Sequence, residues 1–332
     1  MIPFNFTRAL SAAVLSVCAL CTPLVANAHE YSALLKANKF DEVDRATQAR
    51  LATEPNNVDA LLGRGDWLLS QGGEARIEDA IKLADRCVSA QPARSECHEA
   101  VGNALGSKAM SASMFWILGN ASKIRDAFRK AVELDPKNVD ARFSLLLFYM
   151  QAPSMAGGGK DKAQALIAES SKVSADAAKL MQAQMDVSDK EFAKAEAVAL
   201  APLSSDASGL MDRQRGLLVN LANAHLREKR YADATRLFTE VQKRYPANEW
   251  GHYGIARTLQ EQGKHSDALG WFEKSMAQKP GAHVHYRMAQ SWQALSEKAK
   301  AVAAYERALK FKPELNGKQR TDAQDQLKSL SS

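Results

Sequence analysis

Seven histidines, four cysteines and one glycine-rich stretch are the parts of this chain whose chemistry could exceed that of a solvated surface. The histidines are His29, His98, His225, His252, His265, His283 and His285. Two imidazoles grip a metal from one helix when they stand four residues apart, because only then do both rings share a face. No His-x3-His pair and no H-E-x-x-H occurs, and His283 and His285, two apart, fall on different sides of a helix. His29 differs in kind. A cut after Ala28 would make it the first residue, where amine and imidazole together could chelate copper, with plain solvent exposure as the alternative. No Gly-x-Ser-x-Gly elbow is present, and no carboxylate pair stands out from the helix faces. The expectation is a protein with no catalysis of its own, no metal and no cofactor.

The glycine-rich stretch runs from Pro153 to Lys160 (PSMAGGGK). Glycines ahead of a helix can cradle phosphate, because free backbone N–H groups and the helix dipole point at the anion. A mononucleotide loop also needs glycine five places before the last glycine and Ser or Thr after the lysine. Those places hold Ser154 and Asp161, so the expectation is a linker between two helices.

Residues 1–28 read as an export signal: Arg8, an apolar stretch from Ala9 to Val25, then Ala26-Asn27-Ala28 as a small-x-small exit. Ser11, Ser16, Thr22 and Pro23 interrupt the apolar run and make it a poor membrane span. Cys18 follows Val17 and Cys21 follows Leu20, which does not suit a lipidated cysteine. A cut after Ala28 implies a periplasmic or secreted protein. Only Cys87 and Cys97 would survive it, flanking the helix break at Gln91-Pro92. An oxidising compartment favours a disulfide between them, and the alternative is two small residues packed at close helix contacts. Losing residues 1–28, and with them Arg8, takes the formal charge from +6 to +5, a small surplus for the remaining 332 − 28 = 304 residues. No run of five like charges and no basic stripe interleaved with aromatics is present, so nucleic acid is not an expected partner.

These residues must be positioned by helices. Charged residues make up 25% and hydrophobic ones 46%, with abundant alanine, which suits a packed all-α protein. The stretch from Glu249 to Pro280 reads as two short helices around a turn at Gly263. Ala256, Ala268 and Ser275 stand where helices cross closely, Phe272 fills the gap, and a proline closes the unit. Its neighbours keep the register. Ala222, Ala256 and Ala289 step by 34 and then 33 residues. Ala234, Ala268 and Ala301 do the same, as do Phe238, Phe272 and Tyr305, and Pro246, Pro280 and Pro313.

Small residue, A-x3-F and closing proline at this period resemble the tetratricopeptide repeat (TPR) family. The resemblance implies an all-α superhelical solenoid of antiparallel helix pairs, of about eight units, three of them clean. The divisions expected are a signal peptide (1–28), an irregular N-terminal array (29–202), a spacer (203–212), a regular array (213–313) and a capping helix with tail (314–332). The third unit, Ser95 to Pro136, is expected to open with an overlong helix carrying Gly102, Met110, Met114, Phe115 and Trp116. Packing of that helix along its neighbours is expected, and the alternative is an apolar segment that touches a partner.

In the resembled family the first helices of the units line a concave face that holds peptides or protein segments. Carried over by register, that face would hold Asn223 and Arg227, then Trp250, Tyr253 and Arg257, then Tyr286 and Gln290, with plain inter-helix packing as the alternative for each, Tyr253 foremost. Asn223 matches the Lys-and-Asn clamp that some members use for a C-terminal carboxylate, but Val219 replaces the lysine, so that ligand is not expected. The function implied is a scaffold for a protein or peptide partner in the cell envelope. Alternatives are a structural spacer subunit of an envelope assembly, or a small-ligand or metal binder using the 153–160 loop or His29.

Overall fold

A computed structural model describes residues 29–204 and 208–331; the expected export signal, residues 1–28, lies outside them. Among the described residues there are seventeen α-helices, one 3-10 turn and no strand. Sixteen of the helices form eight antiparallel hairpins. The first three are α1 (Ser32–Lys36) with α2 (Phe40–Thr53), α3 (Val58–Gln71) with α4 (Glu74–Ala90), and α5 (Ser95–Ala109) with α6 (Met114–Leu134). Next come α7 (Val139–Gln151) with α8 (Lys160–Ser170), and α9 (Ala175–Ser188) with α10 (Phe192–Leu200). The last three are α11 (Ser208–Arg227) with α12 (Tyr231–Arg244), α13 (Trp250–Glu261) with α14 (His265–Gln278), and α15 (Ala282–Ala294) with α16 (Lys298–Lys310). Helix α17 (Gly317–Ser331) lies across the end of the eighth.

Local chemistry sets the helix starts. Asn57, Ser113, Asn138 and Ser174 each accept a hydrogen bond from a backbone N–H three residues on, which satisfies a donor the first turn leaves free. Ser113 corrects the expectation for the third unit. It starts a new helix at Met114, so the overlong element is the closing helix α6, 21 residues, and the opening helix ends at Ala109. Helix α11 begins at Ser208 and takes in residues 208–212, which the sequence reading gave to the spacer.

Hairpins of this length cannot bury an apolar seam alone, so stability comes from stacking. Ala222, Ala234, Ala256, Ala268, Ala289 and Ala301 are all fully buried at the crossings. Phe238, Phe272 and Tyr305 fill the gaps between successive helices and are at most 1% exposed. Gly254 shows how close the approach is: a Cβ there would lie 2.0 Å from the Phe238 ring. One apolar core runs from Ile124 to Ile255 and takes in Leu203 and Leu210 on either side of the boundary between the two halves.

The hairpin turns repeat as well. Lys229, Gly263 and Ser296 occupy the same place at the 34 and 33 spacing, and all three have left-handed backbone, φ 57°, 75° and 61°. A side chain raises the energy of that conformation, and only Gly263 avoids it. Lys229→Gly is therefore expected to stabilise the fold by about 0.5–1 kcal/mol, read as a higher urea midpoint at unchanged slope.

Candidate binding surface

Helices α11, α13 and α15 carry the residues that the repeat register assigns to an inner face, and those residues divide into two groups. Tyr253 and Tyr286 are buried. Tyr253 packs with Ala256, Ala268, Phe272 and Val284, so it belongs to the core of its hairpin. The Tyr286 hydroxyl donates to Asp322 Oδ2 at 2.6 Å and accepts from Gln290 Nε2 at 2.9 Å. Burial, then that carboxylate, pushes the Tyr286 phenol up to about 12. Both tyrosines thus shape the surface from beneath it.

The other group faces outward. Trp250 is 37% exposed and stacks nearly parallel on His283, ring centres 5.7 Å apart, with Tyr253 edge-on at 5.5 Å. Arg227 is exposed. Arg257 donates from Nη1 to Asn223 Oδ1 at 2.9 Å, a bond between consecutive units. Burial, then repulsion by Arg287 and Arg227, holds the Arg257 guanidinium below its ordinary value, against an opposing pull from Tyr253 and Glu261. Arg287 was not among the residues the register picked out. It donates weakly to Gln260 Oε1 and Gln290 Oε1, both at 3.3 Å, and lies 3.8 Å from Glu261. The three arginines recur every 30 residues rather than every 33 or 34, so the row moves one helical turn toward the N-terminus per unit. That recurrence was the signal in the sequence. The Nε atoms of Arg257 and Arg287 are buried and have no hydrogen-bond partner among the described residues.

A second concavity lies in the N-terminal half. A cavity of about 270 Å³ opens between α1, α3, α5, α7 and the start of α11, and its walls carry His29, Asp66, Glu96, Glu99, Asp140 and Asp212. Its far side is clasped by Lys36–Asp212 at 2.9 Å and Arg213–Asp140 at 2.6 Å, both joining early hairpins to α11. His29 Nε2 lies 3.0 Å from Asp66 Oδ2, and its Nδ1 accepts from the Tyr31 N–H at 3.2 Å. Both ring nitrogens are thus engaged. Among the described residues no group of three or more His, Cys, Asp or Glu side chains is arranged to hold a metal ion.

Burial, with Asp140 adding to it, pushes the Glu99 carboxyl up to about 7, although Asn138 Nδ2 donates to it at 2.9 Å and Arg213 attracts it. Below pH 4.5, its unperturbed value, Glu99 is protonated in folded and unfolded chains alike. Between there and about 7 the folded chain keeps a proton that the unfolded chain has released, so stability falls as pH rises through that window. The expected result is that Glu99→Gln flattens this part of a plot of thermal midpoint against pH.

The glycine-rich loop is closed on itself. The N–H groups of Ala156, Gly157, Gly158 and Gly159 donate to Pro153, Ser154, Pro153 and Tyr149 carbonyls at 2.8–3.1 Å, so none is free to cradle an anion. Lys160 is held 2.6 Å from Asp189, and a Cβ on Gly158 would strike the Ala152 carbonyl oxygen at 1.8 Å. Cys87 and Cys97 are bonded, with Cα atoms 5.3 Å apart across the α4–α5 corner.

Repeat register and stacked antiparallel hairpins define the TPR class of helical solenoid, and residues 225–292 match the family model described as tetratricopeptide repeat. A 133-residue stretch is 33% identical to "Protein CTR9 homolog" of Arabidopsis thaliana; it is 40% of this chain, and the chain spans only 11% of that protein. Among solved structures, yeast Tom70 is similar over 83% of this chain and 57% of its own, with a TM-score of 0.57 and 16% identity. The human IFIT1 dimer with PPP-AAAA is similar over 90% of this chain and 71% of its own, with a TM-score of 0.50 and 17% identity. At such identities the shared property is the fold.

Proposed function

We propose that this protein is an exported scaffold, periplasmic or secreted, that holds a segment of another envelope protein on its C-terminal inner face and has no catalysis of its own. The row Arg227, Arg257 and Arg287 beside the exposed Trp250 carries the reading. Arg287 and Arg227 repel the half-buried Arg257 guanidinium, and carboxylates on a partner segment would relieve that. Aromatic and arginine side chains are also the types that dominate binding energy at protein interfaces. The segment therefore carries acidic side chains along its length, with an apolar residue to cover Trp250. The TPR fold supports a protein partner, and the signal-like residues 1–28 support the compartment.

Proximity labelling with the mature protein in its native compartment tests this. The double variant Trp250→Ala/Arg257→Ala is expected to keep its circular dichroism and melting temperature while losing the partner. Arg287→Glu alone is expected to weaken capture more than Arg287→Gln does, because the reading requires carboxylates. The same labelled neighbours for all variants would refute the inner-face reading. A mature chain whose first residue is not His29, or a protein retained in the cytoplasm, would refute the export reading.

A further inference from the structure

Met110, Met114, Phe115 and Trp250 are large apolar side chains in the open, 87%, 64%, 90% and 37% exposed. The sequence expected the first three to pack along neighbouring helices. Trp250 alone of the four rests on a titratable ring. His283, in the first turn of α15, lies nearly parallel to the indole, the ring planes 20° apart, and meets Tyr253 edge-on with centres 4.9 Å apart. The same Tyr253 ring carries the Arg257 guanidinium carbon 5.9 Å from its centre. One aromatic ring therefore separates the imidazole from the arginine row, a distance comparable to the screening length of about 10 Å at 0.1 M salt. His283 Nε2 is buried and has no hydrogen-bond partner among the described residues.

We propose that His283 sets the pH range over which the C-terminal inner face holds its acidic segment: by taking up a proton it places a cation against Trp250, beside the arginine row, and tightens the grip. The inference rests on the acidic-segment reading of that face and adds its regulation. The charges that act on the ring come from two other elements. Glu249, at the start of α13 and 5% exposed, attracts a proton; Lys279, just past α14, repels it and lies 3.5 Å from Glu249. The N-terminal end of α15 also disfavours a positive charge, while the face of the indole favours one. Burial holds the His283 imidazole below its ordinary value, with Glu249 pulling the other way and Lys279 adding to the effect. The ring is thus neutral at neutral pH and gains its charge below 6.5. In that window the unfolded chain takes the proton first, so the contribution of His283 to stability falls as pH falls. Binding and stability are expected to move in opposite directions, and this separates the proposal from a general loosening in acid, which would weaken both.

The probe is a labelled synthetic peptide of aspartates around one leucine, titrated at low salt against the full chain and against His283→Gln and Arg257→Ala. Two conditions, about pH 5 and about pH 7.5, bracket the ordinary histidine value and leave the aspartates charged. At the lower pH the parent is expected to bind about two- to fivefold more tightly than His283→Gln, and at the higher pH the two are expected to agree. Comparing the chains at one pH cancels titration of the peptide and of the other histidines. Acid should also lower the indole emission of the parent, because a stacked imidazolium quenches it. That component should vanish in Trp250→Phe and in His283→Gln, while the one from His252 beside Trp271, ring centres 5.6 Å apart, persists. Equal affinities of parent and His283→Gln at the lower pH, or the same fluorescence titration in both, would overturn the inference; the inner-face reading would stand if Arg257→Ala still weakened binding. No binding of the peptide, or binding untouched by Arg257→Ala, would overturn that reading and the inference with it.

Discussion

Phe272→Ala is expected to lower the free energy of unfolding by about 3–5 kcal/mol, the largest loss from a single apolar truncation in the regular array. The ring is fully buried between α13, α14 and α15, against Tyr253, Ala256, Ala268 and Val284. Ala256 and Ala268 are held at helix crossings and are too short to reach into the void, so the site cannot fully collapse. The last two hairpins contact their neighbours and little else, so the damage should stay local at first. Chemical denaturation should show the midpoint fall and the transition broaden as the last two hairpins come apart ahead of the rest. Ala268→Leu should do comparable harm by the opposite route, overpacking a residue with no free surface. A denaturation curve indistinguishable from the parent for both variants would contradict the stacking account.

Arg142→Ala should cost about 2–4 kcal/mol, and for a different reason. Arg142 is a charged side chain only 2% exposed. Its Nε donates to the Pro136 carbonyl at 2.7 Å, and its Nη1 to Ser170 Oγ at 3.1 Å and Glu169 Oε1 at 3.2 Å. One guanidinium therefore ties the α6–α7 turn to the end of α8. Glu169 is well exposed and can return to water, and the Ser170 hydroxyl keeps its bond to the Leu166 carbonyl at 2.7 Å, so the loss comes mainly from the vanished packing and from the broken tie to Pro136. Arg142→Lys should recover little, because an ammonium on a flexible stem cannot hold the turn and both α8 partners at once. Melting temperature and hydrogen exchange of the α7 amides would report both variants.

The solenoid was legible because its determinants are local and periodic. Alanine at the crossings and Phe238, Phe272 and Tyr305 in the gaps are required at every unit, so they recur visibly. The start of α6 was not legible. Ser113 is a one-residue signal inside an apolar stretch, and a reading that follows apolar residues runs straight through it. Exposure of Met114 and Phe115 depends on α6 outreaching α7, a comparison of lengths that no single helix contains. The candidate surface was half legible. Register assigned Asn223, Arg227, Trp250 and Arg257 to the inner face, yet it missed Arg287, because the arginines recur every 30 residues while the repeat recurs every 33 or 34. It also could not tell that Tyr253 and Tyr286 turn inward, a choice made by Phe272 and Asp322 on other elements. The acidic hollow joins residues from Asp66 to Asp212, which only the fold brings together.

An open stack of hairpins behaves as a coil spring, lengthening under load without breaking any contact. Here the coil is latched: Lys36 reaches Asp212 and Asp140 reaches Arg213, so the first and fourth hairpins are fastened to the sixth. Pulling on the ends would leave the regular units free to flex while the latched turns stay rigid until those two clasps give. Stiffness is therefore unevenly distributed along the molecule, with a firm base and a compliant arm.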